Sequence, residues 1–155
     1  MRIYLPATLL DLAPTPTGGR LALGPLRAHA VTPALRALFP DDEDEGLEYA
    51  AQLAAADDSL DLLGRTPQAP RLRLVLAADV ADSEVSIVAD DDAVPSAVDV
   101  AGGVPWDAIV CAHVDEPAAE PQVVAALAGE DDALEHLDER DLLWYDASEF
   151  SAIPR

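Results

Sequence analysis

Two apolar runs with no helix between them do most to limit what this chain can fold into. Residues 71–79 (Arg-Leu-Arg-Leu-Val-Leu-Ala-Ala-Asp) alternate at first and then turn fully apolar, and residues 108–114 repeat that apolar character. Each run reads as a buried strand. Parallel neighbours need a crossover of a dozen or more residues, usually helical. Residues 80–107 carry no helical period, so the two strands are expected in an antiparallel or mixed sheet.

The rest of the chain interleaves shorter strands with helices. Arg2 to Leu5 is a first strand, followed by Thr8 as a helix cap with Asp11 favourably placed for the helix dipole. Residues 14–20 (Pro-Thr-Pro-Thr-Gly-Gly-Arg) are a loop, and Arg27 to Val31 is a second strand. Thr32-Pro33 starts a helix that Pro40 ends, because proline has no N–H to lose at the first helical position. The clearest helix places Tyr49, Leu53, Ala56, Leu60 and Leu63 on one apolar face and closes at Gly64. Val85 to Val88 can pair at an edge, and Ala97 to Ala101 is another short strand, ended by Gly102-Gly103. A helix follows Pro117 and Pro121, and another spans Ala133 to Leu137. Leu142 to Tyr145 is a last strand, and Asp146 with Glu149 forms a capping box. This pattern predicts one domain over residues 1–155, in the α/β or α+β class: a single mixed, largely antiparallel sheet with helices packed on it. A chain of 155 residues buries roughly 70% of its unfolded surface and needs no metal or disulfide to fold.

Charge narrows the partners. Thirty acidic residues face nine basic ones, for a formal net charge of -21, and all the basic residues are Arg. Codon bias in a GC-rich genome or adaptation to salt accounts for such a composition; the functional alternative is an acidic face for a basic partner. Nucleic acid is excluded as a partner, because binding it without sequence preference relies on Lys and Arg neutralising phosphates. Anionic membrane surfaces are disfavoured by the same argument. No apolar stretch approaches the roughly 20 residues that span a bilayer, and the opening residues lack the long apolar core of a signal peptide. A cytoplasmic location is the expectation. Cys111, the single cysteine, sits in an apolar run and reads as a buried, inert thiol.

The motifs that carry familiar chemistry are missing: no GxGxxG, P-loop, GxSxG, CxxC or HExxH occurs. What stands out is His-x-Asp-Glu, present as His113-Val114-Asp115-Glu116 at the end of the second apolar run and as His136-Leu137-Asp138-Glu139 in a helix. Residues two apart on a strand share a face, so His113 and Asp115 are candidates for a base with its orienting acid, or for ligands of one divalent cation. Asp79, at the end of the first run, joins them as a metal-ligand candidate if the two strand ends are adjacent. His29, ending another strand beside Thr32, completes the set of catalytic candidates. The acidic runs 41–45 and 90–92 lack calcium-loop spacing and read as solvated loops.

Over most of its length the chain resembles a family of short, functionally uncharacterised actinobacterial proteins. The resemblance rests on Met1 to Thr8, Ala28 to Arg36, Leu47 to Ala51, Val75 to Val80, Ala112 to Glu116 and Leu142 to Tyr145. It implies a bacterial, cytoplasmic protein and carries no activity or functional residue with it.

Three expectations about function follow. The first is a non-catalytic interaction or regulatory domain with a protein partner that presents a basic face, needing no cofactor. The second is a small metal-assisted hydrolase or phosphotransfer enzyme built on His113, Asp115 and Asp79, with His29 as a further member. The third is self-association into a homo-oligomer through Trp144 and Tyr145.

Overall fold

The computed structural model describes residues 1–12, 19–22, 27–88, 90 and 92–155. Most of the expected 14–20 loop lies outside them. Among the described residues the strands are β1 (Arg2–Ala7), β2 (Arg20–Leu21), β3 (Ala28–His29), β4 (Leu74–Asp79), β5 (Val85–Ile87), β6 (Ala97–Val100), β7 (Val104–Pro105), β8 (Ile109–Val114) and β9 (Leu143–Asp146). The α-helices are α1 (Pro33–Leu38), α2 (Asp44–Arg65), α3 (Glu120–Leu127) and α4 (Ala133–Asp138).

The two apolar runs are β4 and β8, and they pair antiparallel at the centre of the fold, Leu74 opposite Val114 and Ala77 opposite Cys111. Seven strands form one sheet in the order β5-β6-β3-β1-β4-β8-β9, and each pairing in it is antiparallel. The architecture is α+β. β2 and β7 make a separate two-stranded ribbon. The ribbon is reached through Gly102 and Gly103, both at positive φ, and a side chain at Gly103 would collide with the Leu21 carbonyl, its Cβ only 2.6 Å away.

Alternation along the strands divides the apolar residues between two faces. One face carries Ile3, Leu5, Leu74, Leu76, Ala112 and Val114, all fully or almost fully buried. Leu9 and Leu12 of the turn after β1, Leu21 and Val104 of the ribbon, and Ile153 near the C-terminus close over it. On the other face Tyr4, Val75, Ala77 and Cys111 pack against Leu47, Ala51, Ala55 and Ala56 of α2.

α2 is the longest element, and its buried face matches the expected one at Ala56 and Leu63 and departs from it elsewhere. Ala51, Ala55, Ala56 and Ser59 meet the sheet, Leu53 and Leu60 are only half-buried, and Tyr49 is exposed. Small side chains let the helix settle close to the strands, which leaves the larger Tyr49 on its flank. Ser59 takes part in the contact directly: its hydroxyl donates to the Ala7 carbonyl at 2.8 Å and accepts from Leu74 N–H at 3.0 Å. The helix also runs past Gly64 to Arg65. Thr66 closes it, its N–H bonding the Leu63 carbonyl and its hydroxyl the Leu62 carbonyl, with Pro67 next in the chain. Other caps follow the sequence: Thr32 accepts from Leu35 N–H ahead of Pro33, and Asp146 with Glu149 forms the capping box.

Candidate functional site

α2 lies over β1, β3 and β4. The sheet continues beyond it through β8 to the edge strand β9, and between the helix flank and those two strands runs a groove of about 320 Å³. Its helix side presents Glu45, Glu48, Tyr49 and Gln52; its sheet side presents Cys111, His113 and Trp144. The register explains why these sheet residues meet: Trp144 is opposite His113 across β8–β9, and Cys111 is opposite Ala77, which is opposite Tyr4. Tyr4 and Arg2 therefore complete the wall on the β1 side.

The groove combines exposed aromatic surface with unmatched negative charge. Trp144 is 59% exposed and Tyr49 46%. Arg2 is already committed to Asp79, with its Nε and Nη2 at 2.6 and 3.0 Å from the two carboxylate oxygens. That pair holds the Asp79 carboxyl below its ordinary range. Among the described residues Glu45 and Glu48 enter no ion pair. Tyr4 is only 5% exposed and lines the groove; its hydroxyl bonds to no described side chain and is not a buried orphan, so solvent reaches it. Burial, and after it the charge of Glu48, push the Tyr4 phenol up to about 12, so it stays protonated.

On the groove floor the Cys111 Sγ lies 3.8 Å from His113 Nε2. Burial raises the thiol's pKa, and burial, helped by the Arg2 charge, lowers that of the imidazole. Both shifts favour the neutral forms. The pair lacks the thiolate character that a cysteine nucleophile needs.

The four sequence candidates lie apart. Asp115 is sealed with Arg73, their side chains 0% and 3% exposed. The guanidinium grips both carboxylate oxygens at 2.9 Å, the Arg73 N–H adds a bond at 2.8 Å, and the remaining Nη2 donation goes to the Leu137 carbonyl. With both oxygens held by a buried guanidinium and its side chain fully enclosed, Asp115 does not reach the groove into which His113 opens. Asp79 and Asp115 are not at adjacent strand ends. Antiparallel pairing of β4 with β8 puts Asp115 beside Arg73 and Asp79 at the opposite end of β4, about 20 Å away at roughly 3.4 Å per residue. His29 shares the α2 face, but β3 and β8 are three strand spacings apart, about 14 Å. Among the described residues no three His, Cys, Asp or Glu side chains converge as metal ligands.

His29 has partners of its own. Its Nδ1 lies 2.8 Å from Ser96 Oγ and its Nε2 2.9 Å from Asp58 Oδ2. The neutral tautomer with the proton on Nε2 satisfies both contacts, donating to Asp58 and accepting from Ser96. The order serine–imidazole–carboxylate is that of an activated nucleophile. Ser96 and His29 are each 2% exposed, however, and an attacking hydroxyl needs access. The chain ties β3, α2 and the turn before β6 together. Thr32, which stood beside His29 in the sequence reading, instead donates to the Pro95 carbonyl.

Sequence reasoning missed Tyr4, Glu48, Tyr49, Asp58 and Ser96 as members of any site. The signal available for Trp144 and Tyr145 was their adjacency near the end of the chain; strand alternation separates them, Trp144 toward the groove and half-buried Tyr145 toward the closed core.

These features define an α+β domain whose sheet is closed on one face and half-covered on the other, with an acidic, aromatic-lined groove along the uncovered half. The family described as a family of unknown function, DUF6912, matches residues 1–153, and the chain belongs to it. No curated protein and no solved structure matches the chain.

Proposed function

We propose that the domain is a non-catalytic protein-interaction module, and that the groove between α2 and β8–β9 receives a basic segment of another protein. The observation that carries this reading is the coincidence, in one groove, of exposed Trp144 and Tyr49 with the unpaired carboxylates of Glu45 and Glu48. Exposed aromatic side chains in a recess are the usual anchors of an interface, and complementary charge speeds encounter and fixes register. β9 is an edge strand with no further strand beside it among the described residues, so apart from the Asp146 N–H, which Glu149 takes, its outward N–H and C=O groups can pair with an extended chain. A second copy of the domain is a poor occupant, because each copy carries a formal charge near -21 and repels the other. Among the described residues no helix is long and apolar enough to cross a membrane.

The test is fluorescence anisotropy with a labelled, short Arg- and Lys-rich peptide at several salt concentrations, with an acidic peptide as control. Saturable binding to the wild type that survives moderate salt and is lost in Trp144→Ala supports the module. Binding that vanishes with salt and is unchanged by Trp144→Ala reports only the general negative field, and overturns it.

A further inference from the structure

We infer that the groove reads an arginine side chain in its occupant, the guanidinium stacking on the Trp144 indole and donating to the Glu48 carboxylate and the Tyr4 hydroxyl. This rests on the interaction reading above. The decisive feature is Tyr4. The residue is 5% exposed and lines the groove, and its phenolic oxygen, which bonds to no described side chain and is not among the buried orphans, is reached by solvent there. A hydroxyl in such a position is costly to leave unpaired once water is displaced, so it selects an occupant that supplies a hydrogen bond.

The groups around that hydroxyl specify the occupant's chemistry. Glu48 is half-buried on the adjacent turn of α2, and its charge acts on the Tyr4 phenol. Trp144 presents an exposed ring across the groove. A cation over an indole face beside a carboxylate is a favourable arrangement, and indole is the best of the aromatic faces for it. Arginine fits better than lysine for three reasons. Its planar ion stacks, it holds its water less tightly than an ammonium does, and its fork of N–H donors reaches two acceptors at once. Arg2 does not compete for these acceptors, because Asp79 holds it in a two-point contact.

Three matched peptides test this, identical except that the central residue is arginine, lysine or citrulline, each titrated into the full-length protein by calorimetry. The arginine peptide is expected to bind roughly tenfold or more tightly than either of the others. That advantage should shrink to near nothing in Trp144→Ala and in Glu48→Gln, both at solvent-accessible positions. Tyr4→Phe keeps the buried ring and removes only the hydroxyl; it should cost the arginine peptide several-fold more than the lysine peptide. Equal binding of arginine and lysine peptides, with both weakened by Trp144→Ala, would overturn the arginine inference and leave the groove as a general basic-segment site. Failure of all three peptides to bind, or binding indifferent to Trp144→Ala, would overturn the interaction reading as well.

Discussion

The two faces of the central sheet are built from the same strands and do different work. Residues at alternate positions of β1, β4 and β8 supply both. Toward one side Leu5, Leu76 and Ala112 stand in a row under a lid made of the β2–β7 ribbon, the turn after β1 and the C-terminal residues. Toward the other Tyr4, Ala77 and Cys111 stand in the parallel row, and α2 covers only its first part. A fully sealed face buys stability and leaves nothing to bind. A half-covered face leaves an edge strand, a tryptophan and two glutamates available, and still anchors the helix through alanines. Polar groups divide within the α2 side itself, since Arg73 and Asp115 share the face of Val75 and His113 by strand alternation. Arg73 and Asp115 are enclosed and saturated with one another, whereas Glu48 and the Tyr4 hydroxyl are open to the groove.

The sharpest way to break this contrast is to remove a saturated partner from the enclosed region. Arg73→Ala leaves Asp115 as an uncompensated buried charge, and urea unfolding should show a loss of about 3–5 kcal/mol. Replacing both residues with apolar ones of similar volume should recover most of that loss, since the ion pair repays little beyond its own desolvation. Next in size is the sealed face itself. Leu76→Ala should cost about 3 kcal/mol in the same measurement, because the sheet beneath and the lid above limit collapse around the cavity.

On the open half the expected effect on stability is far smaller. Trp144→Ala should change it by about 0.5 kcal/mol or less, as for other solvent-exposed positions, while abolishing peptide binding. A loss comparable to that of Leu76→Ala would show that Trp144 belongs to the core and would erase the distinction. The smallest expected effect concerns His113. Burial holds its imidazole below the ordinary value of 6.5. Below that pH the unfolded chain takes up a proton that the folded one still refuses, so stability falls as pH drops through 6.5 and levels off once the folded state is protonated too. Unfolding of His113→Gln across that window should lack this part of the slope. Binding should weaken only at lower pH, once the folded state takes up the proton and a charged His113 repels a cation in the groove.

The contrast also explains which parts of the structure were legible in the sequence. β4 and β8 are continuous apolar runs whose pairing mode follows from what lies between them, and the caps at Thr32 and Asp146 are local patterns read within four residues. The apolar face of α2 is legible only in part: Ala56 and Leu63 are buried as their spacing predicts, whereas close helix–sheet packing selects Ala51, Ala55 and Ser59 over Tyr49, Leu53 and Leu60. The groove draws on β1, α2, β8 and β9, which only the strand order brings together, so no spacing along the chain announces it. The same holds for Asp115. Two residues after His113 it has the spacing of a shared site, and only the fold reveals that Arg73, from the neighbouring strand, has taken it.

The most direct test of the account compares the two edges of the sheet by hydrogen–deuterium exchange, with and without a saturating Arg-rich peptide. The account predicts slower exchange in β9 and in the first half of α2, with β5 at the other edge unchanged. Equal protection at β5 and β9, or none at β9, would contradict it.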